Sequence, residues 1–390
     1  MLSIFVIAIQ GFQCPYQVHK IPDAFHHLRT LKYLSIVNSR VDDWNPNAMA
    51  NIGATVQTLT LENDGLTNWP LWVQYFTQLT QLSITGSLIS AIPDDGLDKL
   101  ASKLERLMLN NNKLTEVPKT LSNMSALRLL TLDYNQIVNI TWLPKFSMIT
   151  FLSLSSNNIA DGNMVSNALK PYAGSLTDVH FNDNKLTYIP DFGLLTGVTE
   201  FNLTSNEIVD PFSGTLPPNV IYVYFGHNQF SLIPRLFLNA KSVSDLFMPS
   251  NKVTMLDAMY IPSWTSAIEM GFNLISELTD TSFPAGSKLQ FLRLNNNPIV
   301  KISNQAFANL QHLAELGLQQ TRLTRLPLAL GSLTGIVTVD VSGSTSLVCT
   351  CLESSLRSWI LTQDSENFIG NCGQMSVYEF FHNLSLGCPV

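Results

Sequence analysis

One pattern recurs fourteen times along this 390-residue chain and constrains its fold more than any other feature. It reads apolar, two variable, apolar, one variable, apolar, two variable, Asn, one variable, apolar. Leu104, Leu107, Leu109, Asn112 and Leu114 form its clearest copy. The middle apolar position falls at Leu34, Leu59, Leu82, Leu107, Leu130, Leu152, Val179, Phe201, Val223, Leu246, Ile268, Leu292, Leu316 and Val339, in steps of 22 to 27 residues. Apolar–variable–apolar triplets such as Leu152-Ser153-Leu154 put the apolar pair on one face of a strand and the variable residue on the other. A unit this short cannot bury its apolar side alone, so copies must stack into a continuous core beside a parallel sheet.

Period and signature together resemble the leucine-rich repeat family over residues 25–346. The resemblance implies an α/β solenoid, a horseshoe of about fourteen repeats. Its concave wall would be a parallel β-sheet, and its convex side mostly irregular, 3-10 and polyproline-like. The Asn slot holds Asn112, Asn135, Asn157, Asn184, Asn206, Asn228, Asn251, Asn273 and Asn297 without a gap. In the family such residues form a structural ladder, each amide bonding the backbone of its own and the neighbouring coil. An unpaired buried amide costs about 1–3 kcal/mol, so these asparagines are read as structural rather than catalytic. Ser39, Asp64, Ser87, Thr321 and Ser344 take the slot towards the ends.

Beyond the strand, Trp69-Pro70, Ile92-Pro93, Val117-Pro118, Ile189-Pro190, Ile233-Pro234 and Leu326-Pro327 recur at one position. Proline cannot join a sheet ladder and favours an extended return. Phe25, Phe192, Phe237, Phe283 and Phe307 each precede the next repeat by six residues and predict an aromatic spine inside the convex side. The longest repeats leave room for short helices around Asp95–Ser102 and Asn163–Tyr172.

Charged residues make up 13% of the chain, and its net charge is −7 with no basic stripe, which argues against nucleic acid as a partner. No run of about 20 apolar residues is present to span a membrane. Four of the five cysteines follow the last repeat: Cys349, Cys351, Cys372 and Cys388. With Leu356 and Trp359-Ile360 they resemble the cysteine-flanked C-terminal cap of extracellular leucine-rich repeat proteins, as in Toll-type ectodomains. The Asn-Pro-aromatic run usual before that cap is replaced by Ser346-Leu347-Val348. The resemblance implies Cys349–Cys372 and Cys351–Cys388, whereas spacing alone allows three connectivities or a zinc site. Sequons at Asn123, Asn139, Asn202 and Asn383 add to an extracellular, glycoprotein reading.

Residues 1–24 read as a signal-peptide-like segment and a degenerate N-terminal cap, 25–346 as repeats, and 347–390 as the C-terminal cap. The apolar run Leu2–Ile9 is read as the core of a cleaved signal peptide; alternatively, Cys14 with Val18, Ile21 and Pro22 resembles the last cysteine of the family's N-terminal cap, in a trimmed chain. Cys14 is then left free or bridged to another chain.

The seven histidines show no metal spacing, and no nucleophile elbow or phosphate loop appears, so neither catalysis, metal nor cofactor is expected. A ligand is expected on the variable strand positions. These are small in the early repeats: Ser35, Thr60, Ser83, Thr131 and Ser153. From repeat seven to twelve they and their neighbours become Asp178, His180, Glu200, Tyr222, Tyr224, His227, Asp245, Phe247, Glu269, Phe272, Phe291 and Arg293. Aromatics flanked by acids on a rigid surface suit a protein or glycoprotein partner. Covering the sheet, or burial in a homodimer, would explain the same residues. The functional classes that follow are a secreted or cell-surface binding scaffold, a non-catalytic subunit of a secreted complex or matrix organiser, and the ectodomain of a membrane receptor. A cytosolic regulator is disfavoured by the cap.

Overall fold

A computed structural model describes residues 6–10 and 19–383. They fall into two compact units: Met1–Leu186 with Pro190–Val198, and Thr187–Ile189 with Thr199–Val390. Cys14 and Cys388 lie outside the described residues, and so does the expected bridge from Cys351 to Cys388.

In the first unit, strands Tyr33–Val37, Thr58–Glu62, Gln81–Thr85, Arg106–Met108, Leu129–Thr131, Phe151–Ser153 and Asp178–His180 pair in parallel. The register is the sequence repeat itself, Leu34 opposite Leu59, then Leu82, Leu107, Leu130, Leu152 and Val179. All of these side chains are buried. Val6–Gln10, overlapping the apolar run that resembles a signal-peptide core, adds a further parallel strand beside Tyr33–Val37.

The second unit repeats the scheme. Strands Glu200–Asn202, Tyr222–Tyr224, Asp245–Phe247, Ala267–Glu269, Phe291–Arg293, Glu315–Gly317 and Thr338–Asp340 run in parallel and in register. The cap strand Phe368–Ile369 then continues the sheet beside Thr338–Asp340. Within the cap a disulfide joins Cys349 to Cys372, whose Cα atoms are 5.3 Å apart. Cys351 is also disulfide-bonded. Glu353 is buried there, paired with Arg325 and accepting from the Thr350 N–H and hydroxyl.

Each return segment follows from the residues that start it. Pro70, Pro118, Pro234 and Pro327 are extended, and each caps a 3-10 helix: Leu71–Tyr75, Lys119–Asn123, Arg235–Asn239 and Leu328–Ser332. The 27-residue repeat contains the helix Gly162–Leu169, capped by the Asp161 carboxylate and continued by a 3-10 turn over Lys170–Tyr172. Only Asp98–Leu100 is helical, as a single 3-10 turn, where the sequence predicted a helix over Asp95–Ser102. A helix not predicted, Pro46–Gly53, occupies another 25-residue repeat, capped by Asn45 with Pro46 at its first position. Phe25, Phe192, Phe237, Phe283 and Phe307 are all buried, Phe283 lying 6.4 Å from Phe307 and Phe237 5.8 Å from Phe225 between ring centres.

The Asn slot satisfies groups that strands this short leave open. Asn157 Nδ2 donates to Leu132 O of the preceding coil (3.0 Å) and to Leu154 O and Ser155 O of its own (both 3.1 Å). Its Oδ1 accepts from the Ile137 N–H at 2.9 Å. In the second unit Asn273 does the same with Met248 O, Met270 O, Gly271 O and the Val253 N–H. The residue before the slot is left-handed in all fourteen coils: Asn38, Asn63, Gly86, Asn111, Tyr134, Ser156, Asp183, Ser205, His227, Ser250, Phe272, Asn296, Gln320 and Gly343. This turn swings the chain out of the strand, at about 1–2 kcal/mol for a residue with a Cβ.

Asp64 is the exception within the ladder. It is buried, its Oδ1 accepts from the Ser39 N–H at 3.3 Å, and its Oδ2 has no hydrogen-bond partner among the described residues. Burial pushes its carboxyl up to about 7; backbone hydrogen bonds at Ser39 and Glu62 oppose this, and the Glu62 charge adds to it. Unfolded, the same carboxyl ionises near about 4. Between the two values the folded state holds more protons, so its contribution to stability is greatest below about pH 4 and is lost as pH rises towards 7. Asp64→Asn supplies the amide donors used at the other slots and cannot ionise. We expect it to raise stability by about 1–3 kcal/mol at pH 7.5, with little gain at pH 4. Thermal melts of both proteins across that range check this, and equal gains at both ends would contradict it.

Candidate functional site

The strand residues between the buried apolar positions form the exposed face of each sheet. In the first unit this face is shallow. Ser83, Thr131 and Ser153, expected to be open to solvent, are buried. Ser153 Oγ donates to Asp133 at 2.6 Å. Burial raises the Asp133 carboxyl against the hydrogen bonds from Ser153 and Ser155 and the nearby charge of His180, which lower it. Asp178 and His180 belong to this unit: Asp178 accepts from Thr177 Oγ1 at 2.6 Å, and His180 lies 5.4 Å from the Phe151 ring.

The other ten candidate residues all lie in the second unit. Parallel register lines them up in two rows. The first runs Glu200, Tyr222, Asp245, Ala267, Phe291, Glu315, and the second Asn202, Tyr224, Phe247, Glu269, Arg293, Gly317. Tyr224 and Phe247, neighbours in the second row, stack with ring centres 4.8 Å apart and planes 6° from parallel. Tyr222 and Phe291 remain 41% exposed although both are large and partly apolar. His227 and Phe272 occupy the left-handed position of their coils, with φ of 53° and 57°. Both are exposed at the end of their strands.

Charges around the rings are ordered. Asp245 Oδ1 accepts from Ser266 Oγ at 2.9 Å and Ser244 Oγ at 3.1 Å. Arg293 Nε donates to Glu315 Oε1 at 2.8 Å, and its guanidinium lies 3.7 Å from Glu269. Chiefly through the Glu315 hydrogen bond, Arg293 is held more firmly protonated than usual. The Tyr224 hydroxyl is pushed up by burial, then by the charges of Glu200 and Asp245. Sequence reading missed Glu315, which occupies the first-row position one repeat beyond the residues singled out. It also missed Gly226, Pro249 and Gly271, consecutive residues of the next row, where a Cβ on Gly226 would meet Pro249 at 3.2 Å.

Among the described residues no group of three or more His, Cys, Asp or Glu is placed to hold a metal ion. No described helix is long and apolar enough to cross a membrane.

The model of the leucine-rich repeat family matches residues 77–137 and 267–323, and each unit has the parallel, in-register strands and amide ladder of that family. Over these segments the chain carries leucine-rich repeats. Bovine keratocan is 25% identical over 282 residues, which are 68% of this chain and 73% of keratocan. A leucine-rich repeat protein of Leptospira interrogans shares its fold with a TM-score of 0.64 and 20% identity, over 89% of this chain and 92% of that one. The Drosophila Toll–Spatzle complex matches with a TM-score of 0.62 and 15% identity, over 84% of this chain and 47% of that one. The Cys349–Cys372 disulfide fits an extracellular compartment, where such bonds persist.

Proposed function

We propose that this protein is a non-catalytic extracellular scaffold that binds a protein or glycoprotein partner across the exposed sheet face of its second unit. The observation that carries this is the Tyr224–Phe247 stack, on a sheet face that also exposes Tyr222 and Phe291 among several charged residues. Rigid aromatic anchors on strands lose little conformational entropy on binding, and such residues dominate interface energetics. Exposed, they leave an apolar patch that a partner would cover. The Toll–Spatzle complex is a related fold engaging another protein, and it supports a binding role without locating the surface.

Asn123, Asn139 and Asn383 are proposed to carry glycans, Asn123 and Asn383 being exposed and Asn139 partly so. Asn202 sits opposite Tyr224 in the ladder, and its Oδ1 accepts from the Thr204 N–H at 2.9 Å. A glycan there would cover Tyr224, so binding across this face requires Asn202 to be unmodified. The proposal is tested by affinity capture from extracellular fluid, with the wild-type protein and the Tyr224→Ala/Phe247→Ala variant as parallel baits. A partner enriched by the first and lost from the second supports it. Capture of the same proteins by both baits would move the binding surface elsewhere.

A further inference from the structure

We infer that the partner presents an arginine-bearing cationic segment to the Tyr224–Phe247 stack, an inference that rests on the binding role proposed for this face. Across the two rows of the second unit, Glu200, Asp245, Glu269, Glu315 and Asp340 supply five carboxylates and Arg293 the one guanidinium, a formal balance of −4. That is more than half of the −7 carried by the whole chain. Arg293 is already held by Glu315 and Glu269. The carboxylates left beside the rings are therefore Glu200 and Asp245, which flank Tyr222 in register on its two sides.

Geometry favours a planar cation over a point charge. Tyr224 and Phe247 stack on each other, so each offers its outer face, and a guanidinium stacks on an aromatic face while its edge stays free to hydrogen-bond. Asp245 lies two residues before Phe247, on the same face of its strand. Both of its hydroxyl hydrogen bonds, from Ser244 and Ser266, land on Oδ1, fixing the carboxylate before any ligand arrives. Oδ2 is left to accept from a guanidinium N–H whose plane rests on a ring, a combination that an ammonium cannot match in geometry. The raised Tyr224 hydroxyl reflects, after burial, the negative charges of Glu200 and Asp245 at this spot. An acidic segment would add like charge there, and a purely apolar one would bury the Glu200 and Asp245 charges with no countercharge.

The test selects random dodecapeptides displayed on phage against the immobilised wild-type protein, with counter-selection on the folded Tyr224→Ala/Phe247→Ala variant. Enriched peptides are expected to carry arginine, with lysine a weaker substitute. The best of them, made synthetically, should lose about tenfold or more in affinity when its arginine is replaced by citrulline or when the protein carries Asp245→Asn. Its binding should also weaken as salt is raised. Citrulline is neutral and nearly isosteric, so that arm needs no protein variant to fold. Peptides that need the two rings yet lack basic residues, or that ignore both the citrulline and Asp245→Asn changes, would overturn the cationic inference and leave the binding site standing. Peptides that bind the wild type and the double variant alike, or no enrichment at all, would overturn both.

Discussion

Asn157→Ala is expected to destabilise the first unit by about 3–4 kcal/mol, well beyond the effect of an ordinary surface substitution. The Asn157 amide touches four backbone groups in two coils: Leu132 O, Leu154 O, Ser155 O and the Ile137 N–H. Asn157 is buried, with 5% of its surface exposed, so water cannot replace it at the groups it leaves. Each orphaned backbone group costs about 1–3 kcal/mol, and partial relaxation of the coil brings the total below the simple sum. Asn157→Asp retains the acceptor for Ile137 but turns a carboxylate oxygen towards the carbonyls, so it should be destabilising at pH 7.5 and less so near pH 4. Urea unfolding measures both. A loss under about 1 kcal/mol for the alanine variant would mean that the ladder is not what closes the coils.

Tyr224→Ala with Phe247→Ala should weaken partner binding about 100-fold or more while leaving the melting temperature close to that of the wild type. Removing two central aromatic anchors typically costs at least about 2 kcal/mol each in a binding interface, and each 1.4 kcal/mol is about tenfold in affinity. The core should be indifferent to the change. Both rings stand on the face opposite Val223 and Leu246, whose buried contacts are untouched. If the rings instead serve mainly to cover the sheet, the double variant will melt early and its affinity will follow its folded fraction. Comparing affinity with melting temperature separates the two explanations.

Much of this architecture is legible in the sequence because it rests on repetition. A leucine at the middle position predicts a strand centre, and Leu107, Leu130 and Leu152 take that place in register. The same holds for Val223, Leu246 and Ile268 in the second unit. Features confined to one coil are harder to read. The helix Pro46–Gly53 depends on an Asn45 cap in the left-handed conformation, whereas the similar-length segment Asp95–Ser102 forms only one 3-10 turn. Both repeats have room for a helix, and local capping decides between them. Burial of Ser83, Thr131 and Ser153 is set by contacts made only in the folded sheet, which a strand pattern does not encode. The candidate site is legible as a row of unusual residues. Its electrostatics are not, because the Arg293 clamp needs Glu315 from the next coil and Asp245 is fixed by hydroxyls from two coils. Asp178 and His180 share the sequence trend of that row but belong to the first unit.

The central claim is that the partner seats on the Tyr224–Phe247 face. Photo-cross-linking tests it most directly, with p-benzoylphenylalanine in place of Phe247 in one protein and in place of Phe146 in another. Phe146 is an exposed control, 86% accessible, in the first unit. On irradiation in extracellular fluid, a covalent adduct with the captured partner is expected from position 247 and not from position 146. An adduct from position 146 alone, or equally from both, would contradict the assignment of the binding surface.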